Sequence, residues 1–517
     1  MTAATDPLSA PTLTAAMRAG LALWPDLNVT FTGARGEPTS SLSALFERGR
    51  RLAGGLSAHG LRAGDSIAMQ LPNWPEAVVT FVAAAELGLT LVPIVHVYGP
   101  SELQFILRQS GAAALVIPDQ WRGISFPDRI LPAARPSTLQ QVIVLGDDVP
   151  DGFVSWQSVV DSAVEFPEAN PHPDDRTLLL YTSGTTGEPK GVVHTHRTLI
   201  AEIGQVLHYM DSEEGDVSLV SFPIGHMAGV LGCARLFMRN RHSIFLDVWD
   251  AKLAAQVVEE YGVTSTSGTP FHLISLFEAA DAAGLSLSTF RSIMLGATTV
   301  APSLIQQADE RGIKAYRCYG STEQPTISSG KPSDSFEDRA YTDGHLLPGV
   351  EVRILGDDDH DLPCGQPGEI VSRGPDLTPG YTNPEHDAAT RLPGGWFRTG
   401  DIGVRAPDGY ITLQGRRSDL IISGGFNIYP REIEELILEQ PGVLEATVVG
   451  APDAVRGEVP VAYVVVDPAK FDETAAMAYL RTQLASFKHP RAFVRVDALP
   501  RTALGKVQKR LLPVWQP

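Results

Sequence analysis

Strand-like and helix-like patterns alternate through the first two thirds of this chain, and that alternation limits its fold more than any other feature. Leu42, Leu45, Phe46, Leu52 and Leu56 recur near helical spacing within residues 41–59. Residues 66–71 and 89–95 read as strands around a helix that begins near Pro75, and residues 217–221 and 243–246 read as further strands. Residues 252–261 read as a helix. A strand–helix–strand rhythm calls for parallel sheets covered by helices, which predicts an α/β protein. Strand-rich sequence with hairpin turns follows at residues 350–355, 368–373 and 410–413. The acidic run 357–361 between them reads as a solvated hairpin tip, because nothing near it has calcium-loop spacing. Beyond a boundary near residues 414–419 the pattern restarts: helix 430–438, strands 446–449 and 461–466, helix 474–484 and strand 492–496. That predicts a large domain over 1–415 and a small α+β domain over 416–517.

Composition removes several classes of function. A net charge of -19 with no Lys/Arg run excludes a nucleic-acid partner, since neutralising phosphates needs a basic surface. Three scattered cysteines, Cys233, Cys318 and Cys364, exclude a disulfide framework and a cysteine zinc site, and suit a reducing cytoplasm. The most apolar stretch, residues 77–95, is broken by Glu86, Gly88 and Pro93, so it reads as a buried helix and strand rather than a membrane span. Residues 1–23 lack the apolar core of a signal peptide. The expectation is a cytoplasmic enzyme without integral membrane association. The sequence leaves its oligomeric state open, a homodimer included.

The chemistry starts at Tyr181-Thr-Ser-Gly-Thr-Thr-Gly-Glu-Pro-Lys-Gly191, directly after the apolar residues 178–180. Small residues let a loop turn tightly and aim backbone N–H groups at one point, while hydroxyls and Lys190 add donors and a positive charge. That is a polyphosphate cradle. It is not a Walker A loop, because Lys190 is followed by Gly191 rather than Ser or Thr. A flexible polar linker is the bland alternative, and linkers rarely follow a buried strand with so specific a string.

This string resembles the phosphate-loop signature of the adenylate-forming superfamily, which includes acyl- and aryl-CoA synthetases, peptide-synthetase adenylation domains and firefly-type luciferases. Further strings follow in the family's order: Tyr319-Gly-Ser-Thr-Glu323, Gly395-Trp-Phe-Arg-Thr-Gly-Asp401, Gly415-Arg-Arg-Ser-Asp419 with Ile422-Ser-Gly-Gly-Phe-Asn427, and Pro500-Arg-Thr-Ala-Leu-Gly-Lys506. The resemblance covers nearly the whole chain and is most like a bacterial acyl-CoA synthetase. It implies a small β-barrel-like subdomain within the large domain, and mobility of the C-terminal domain.

Residue roles follow from the resemblance. ATP would be held by Thr182, Ser183, Gly184, Thr185, Thr186, Gly187 and Lys190, with Gly296, Ala297, Tyr319 and Gly320 around adenine. Asp401 and Arg416 would hold the ribose. Glu323, an anionic oxygen donor suited to Mg²⁺, would share that ion with Thr182, and Thr322 would bond the α-phosphate. Lys506 would bridge the acid's carboxylate and the α-phosphate, offsetting the repulsion of two anions. His226, with Met227, Gly296, Gly320 and Ser321, would line the acid site. Ser423, Gly424 and Gly425 would shape the path of CoA, and Ser418 stands at the hinge where many relatives carry Asp or Lys. Gln324 and Pro325 stand where an apolar residue is common, and no sequence-level reason explains them.

His194 and His196 form an HxH pair that reads as packing for the next helix, because no third metal ligand is apparent. The expected reaction joins an acid to ATP, giving acyl-AMP and pyrophosphate, and then to CoA, giving acyl-CoA and AMP. Segments 222–231, 267–273 and 296–299 predict an uncharged apolar acid, whether medium-chain, alicyclic or aromatic. The competing readings are an acyl-adenylate ligase that loads a carrier protein, a luciferase-type monooxygenase and a non-catalytic nucleotide-binding relative. Against the first of these, the chain runs from Gly425 into the next helix without the insertion such ligases usually carry.

Overall fold

Two large sheets account for the strand–helix alternation. The computed structural model describes residues 6–33, 39–130, 135–183, 189–209, 215–453, 455–501 and 507–515. The eight-stranded sheet has the spatial order Gly380–Tyr381, Pro189–Thr195, Arg176–Ser183, Thr90–Pro93, Ser66–Met69, Ala114–Pro118, Gln141–Leu145, Val154–Ser155. Its central strands are apolar on both faces, as in parallel sheets with helices on each side: Ile67, Ala68, Met69, Val92, Leu115 and Val116 are fully buried. Helix Pro75–Leu87 is buried nearly all round, which explains the apolar run at 77–95. It ends at Gly88, whose left-handed φ of 72° closes the helix.

The nine-stranded sheet has the order His345–Leu346, Ser328–Ser329, Lys314–Tyr319, Ser292–Leu295, Ser265–Gly268, Val217–Val220, His242–Leu246, Asn28–Thr32, Thr39–Ser41. The strands from Lys314–Tyr319 to Asn28–Thr32 are parallel. Their C-terminal ends therefore deliver Phe222, Thr269, Gly296 and Gly320 to one edge, where open α/β sheets place their ligands.

The third sheet is antiparallel and joins Glu351–Leu355, Gly368–Arg373, Trp396–Arg405, Arg391–Leu392 and Ile411–Arg416. From Ile421 onward the strands form a sheet of their own. Helices Pro430–Leu438 and Glu473–Gln483 cover it around Ile421, Ile433, Ile437, Val448 and Leu480. Among the described residues no helix is long and apolar enough to cross a membrane.

A buried ionic junction ties helix Pro430–Leu438 to the preceding sheets. One Asp343 carboxylate oxygen accepts from Arg431 Nη2 at 3.0 Å, and the other accepts from the Leu413 amide at 2.8 Å. The Asp343 carbonyl accepts from Ser328 Oγ at 2.8 Å. Arg431 Nε and Arg317 Nη1 both donate to Glu435 Oε1, at 3.1 and 3.0 Å. Arg317 is wholly buried and Asp343 nearly so. Removing one partner of such a pair strands the other charge. Arg431→Ala is expected to cost about 3–5 kcal/mol, read from the urea unfolding midpoint, whereas a loss below about 1 kcal/mol, the range of surface ion pairs, would show that the junction is superficial.

Candidate active site

Tyr319 ends strand Lys314–Tyr319, and its hydroxyl donates to Asp401 Oδ2 at 2.8 Å. Asp401 lies on strand Trp396–Arg405, directly opposite Arg416 on strand Ile411–Arg416. Arg416 Nε meets Asp401 Oδ1 at 2.9 Å. The three residues form a fixed chain in which one carboxylate oxygen takes the Tyr319 hydroxyl and the other faces the Arg416 guanidinium. Burial pushes the Tyr319 phenol well up, and the Asp401 charge adds to the effect. The same carboxylate holds Arg416 firmly protonated. Tyr319 and Asp401 are buried, while Arg416 remains partly open.

The turn after Tyr319 demands glycine. A Cβ on Gly320 would lie 2.0 Å from the Pro325 carbonyl oxygen, a distance no side chain tolerates. The chain folds back here because the Ser321 amide donates to the Gln324 carbonyl at 2.9 Å. Gln324 then gains a physical account. Its amide nitrogen donates to Asp376 Oδ1 at 3.0 Å and its amide oxygen accepts from Ser372 Oγ at 2.7 Å, both out of solvent. A buried polar residue bonded at both ends specifies this turn as an apolar one could not. Across the edge, Ala297 adopts a left-handed φ of 67°, which costs a non-glycine residue about 1–2 kcal/mol.

A second cluster surrounds Glu323. Its Oε1 accepts from the Tyr381 hydroxyl at 2.8 Å, and Lys190 Nζ lies 5.8 Å from the centre of the Tyr381 ring. Lys190 pairs with Thr182 across the antiparallel strands Arg176–Ser183 and Pro189–Thr195. Thr182, Lys190, Glu323 and Tyr381 are thereby brought to one place. Thr322 is held from behind, because His194 Nε2 lies 2.8 Å from its carbonyl oxygen. A carbonyl only accepts, so Nε2 carries the proton. Burial lowers the His194 imidazole to about 4, so the ring is neutral and Nδ1 accepts from Thr198 Oγ1 at 3.0 Å. His194 thus does more than pack a helix. His196, whose Nδ1 accepts from the Leu13 amide at 3.3 Å, does only that. Tyr381 and the bond from His194 to Thr322 escaped the sequence reading, since each joins segments far apart in the chain.

His226 caps helix Met227–Arg235, its Nδ1 accepting from the Ala228 amide at 3.3 Å. Burial lowers it to about 4, so the ring is neutral with its proton on Nε2. It stacks on Phe222 at 5.2 Å, and Phe222, His272 and Trp249 continue an aromatic wall. Met227 is buried beside it. The predicted CoA residues stand on a different element. Gly424 and Gly425, with φ of 59° and 84°, make the tight turn between strands Ile421–Ser423 and Phe426–Ile428. Ser423 is buried under that turn, and Ser418 is exposed on a short 3₁₀ turn. Gly184, Thr185, Thr186, Gly187, Lys506 and the Ser183 side chain lie outside the described residues. Lys506 directly precedes Val507, which bridges to Arg501.

Comparison with known proteins decides the family. Residues 25–382 match the AMP-binding enzyme family, and residues 432–506 match the AMP-binding enzyme C-terminal domain. The chain belongs to the AMP-binding enzyme family. It is 32% identical to the medium-chain fatty-acid–CoA ligase of Escherichia coli, over 91% of this chain and 84% of that one. It is 33% identical to the indoleacetate–CoA ligase of Aromatoleum aromaticum, over 91% of each. It superposes on the crystal structure of ATP-bound MatB from Rhodopseudomonas palustris with a TM-score of 0.86 and 30% identity, covering 97% of this chain and 98% of that one. This is the superfamily that the motifs resemble, and the chain is an ATP-dependent acid–thiol ligase of the acyl-CoA-forming class.

In this AMP-binding enzyme, a carboxylate that holds a nucleotide's sugar acts equally in ground and transition states. Asp401→Ala is therefore expected to raise KM for ATP about tenfold or more while kcat falls by no more than about threefold. An unchanged KM for ATP in steady-state assays would place Asp401 away from the nucleotide.

Proposed function

We propose that the enzyme joins a carboxylic acid with an apolar body to AMP and then passes the acyl group to CoA. The observation that carries this reading is the juxtaposition of the Tyr319–Asp401–Arg416 chain with the Glu323–Tyr381–Lys190 cluster. One suits a nucleoside and the other a polyphosphate, at the same sheet edge as the neutral His226. In the first step an acid oxygen attacks the α-phosphorus, the bond to the β-phosphate breaks and pyrophosphate leaves. Lys190 and Lys506 offset negative charge there, and the His226 Nε2–H is a free donor for the acid's carboxylate. In the second step the CoA sulfur attacks the acyl carbon, the bond to AMP breaks and the thiol proton is lost.

Mg²⁺ fits the residues at this site. Glu323 is oriented by the Tyr381 hydroxyl through one oxygen, which leaves the other for a ligand, and Thr182 adds a hydroxyl. No cluster of three or more His, Cys, Asp or Glu that could hold a metal is present among the described residues. One carboxylate with substrate phosphates and water is how Mg²⁺ is usually held. When bound, the ion would neutralise polyphosphate charge.

Residues 1–415 and 416–517 would then act as two bodies with Ser418 at their joint. The Gly424–Gly425 turn, with Ile422 and Phe426 exposed beside it, would approach the acyl-AMP after Lys506 has withdrawn. Pyrophosphate and AMP are the expected products from ATP plus an apolar acid, with thioester appearing only when CoA is added. ADP in the chromatogram, or a carrier protein as the sole acceptor, would overturn this reading. Lys506→Ala is expected to slow adenylation about 10²–10³-fold, yet to convert supplied acyl-AMP and CoA to thioester at close to the wild-type rate. Gly424→Leu should do the reverse. Equal loss of both half-reactions in Lys506→Ala would show that one arrangement serves both.

A further inference from the structure

A narrow cavity of about 90 Å³ runs along the face of the nine-stranded sheet, and one of its lining residues, Phe222, stacks on His226. Its cover is helix Met227–Arg235, which presents Ala228, Gly232 and Arg235. Those positions recur every helical turn on one face, so they place Arg235 about 10 Å further along than Ala228. The floor begins with Phe222, Ser267 and Val220 and ends with Ser218, Ser243 and Ser265. These three serines are in register across adjacent parallel strands, a row of hydroxyls near the strands' N-terminal ends. Arg239 and Arg241 line the same far end. The lining is mixed at the Phe222 end, with Ser221, Val220 and Ser267, and becomes cationic at the far end, where three arginines gather.

Arg241 is structural, since Nη1 donates to Ser218 Oγ at 3.0 Å and Nη2 to Asp216 Oδ2 at 2.6 Å. Arg291 takes the other oxygen of Asp216. Arg235 has neither a hydrogen-bond nor an ion-pair partner among the described residues, and its Nε is shut away from water. Arg239 makes no hydrogen bond or close ion pair among the described residues, and the Asp216 charge, shared with Arg241 and Arg291, is its nearby counter-charge. Glu202 and Tyr316 are the other titratable groups near Arg235. Glu202 Oε1 is taken by Thr326, and burial raises that carboxyl to about 7, so it gives only partial counter-charge. A shielded guanidinium with unused donors carries a standing desolvation cost that an acceptor in the cavity relieves.

We propose that the acid substrate carries a second acceptor oxygen group, a ketone or a carboxylate, at the end remote from the reacting carboxyl, held by Arg235 and Arg239 over the Ser218–Ser243–Ser265 row. This rests on the acyl-CoA ligase reading and amends the expectation of a wholly apolar, uncharged acid. The narrowness of the cavity selects a slender chain between the two ends.

The test compares three linear series from six to twelve carbons: methyl-ended monoacids, ω-carboxy acids and acids with a ketone next to the terminal carbon. Pyrophosphate release is followed with ATP and CoA. At the best length, kcat/KM for an oxygen-ended acid is expected to exceed that of the methyl-ended acid of equal length by about 10–100-fold, the scale of one hydrogen bond to a charged group. Whether the carboxy or the keto series leads identifies the group. Arg235→Gln and Arg239→Gln should each move this ratio toward unity, and Arg235→Lys should keep part of it. Methyl-ended acids used equally well or better at every length would overturn the proposal while leaving the ligase reading intact. If no acid releases pyrophosphate, the ligase reading fails. Calorimetric binding of the same acids without nucleotide still decides the proposal, and equal affinity of methyl- and oxygen-ended acids would overturn it.

Discussion

Asp343 is where the parts of this enzyme meet. Its two carboxylate oxygens and its carbonyl reach the C-terminal body at Arg431, the antiparallel sheet at Leu413 and the nine-stranded sheet at Ser328. A buried carboxylate is tolerated only when its acceptors are filled, so in this arrangement each of these elements supports the others. The constraint propagates to the site. Leu413 and Arg416 share a strand, and Arg416 faces Asp401, which fixes Tyr319. One ionic junction is thus linked through a single strand to the Tyr319–Asp401–Arg416 chain.

Charge is managed differently on the two sides of the site. At Asp401 the carboxylate holds Arg416 protonated and ties the Tyr319 hydroxyl. Beside it, histidines are kept neutral: His194 and His226 are both pulled down to about 4 by burial. Their hydrogen-bond partners select the tautomer, with Nδ1 accepting in each ring, so each is a donor at Nε2, that of His194 toward the Thr322 carbonyl. Protonation would remove the acceptor at Nδ1, which faces the Thr198 hydroxyl in His194 and the Ala228 amide in His226. The imidazoles serve as oriented dipoles, not as acids or bases.

The fold was legible in sequence where local chemistry is strong. Helix Pro430–Leu438 has the limits expected, because proline suits its first turn and the Ile433–Ile437 spacing buries one face. The Gly424–Gly425 turn announces itself, since two successive left-handed residues suit little else. Strands Asn28–Thr32 and Lys314–Tyr319 were missed, being mixed in polarity and paired with segments far off in the chain. The same limit governs the site. Motif residues could be named individually, but Tyr381 acquires its place only by meeting Glu323, and Gln324 only by meeting Asp376 and Ser372. Long-range pairings have no local signature. The acid pocket had the least local signature: segments 222–231, 267–273 and 296–299 read as apolar, whereas Arg235 and Arg239 lie along helix Met227–Arg235 and just beyond it, past those segments.

The Asp343 junction also bears on how two half-reactions can share one site. If the C-terminal body turns about Ser418, Arg431 must leave Asp343, and Glu435 must leave Arg317. Broken in isolation, such contacts cost several kcal/mol, because they leave charges buried without partners. The turned arrangement must therefore either hydrate these groups or pair them anew. Each body is well placed for that exchange. Glu434 and Lys509 already form a second ionic set on the C-terminal side, with Asp419 close to the joint. Thr299, at the sheet edge that holds Ala297, touches Glu434. The helix that carries Arg431 thus also meets the sheet edge at Thr299 through Glu434, so a turn that frees Asp343 would also break contact with that edge.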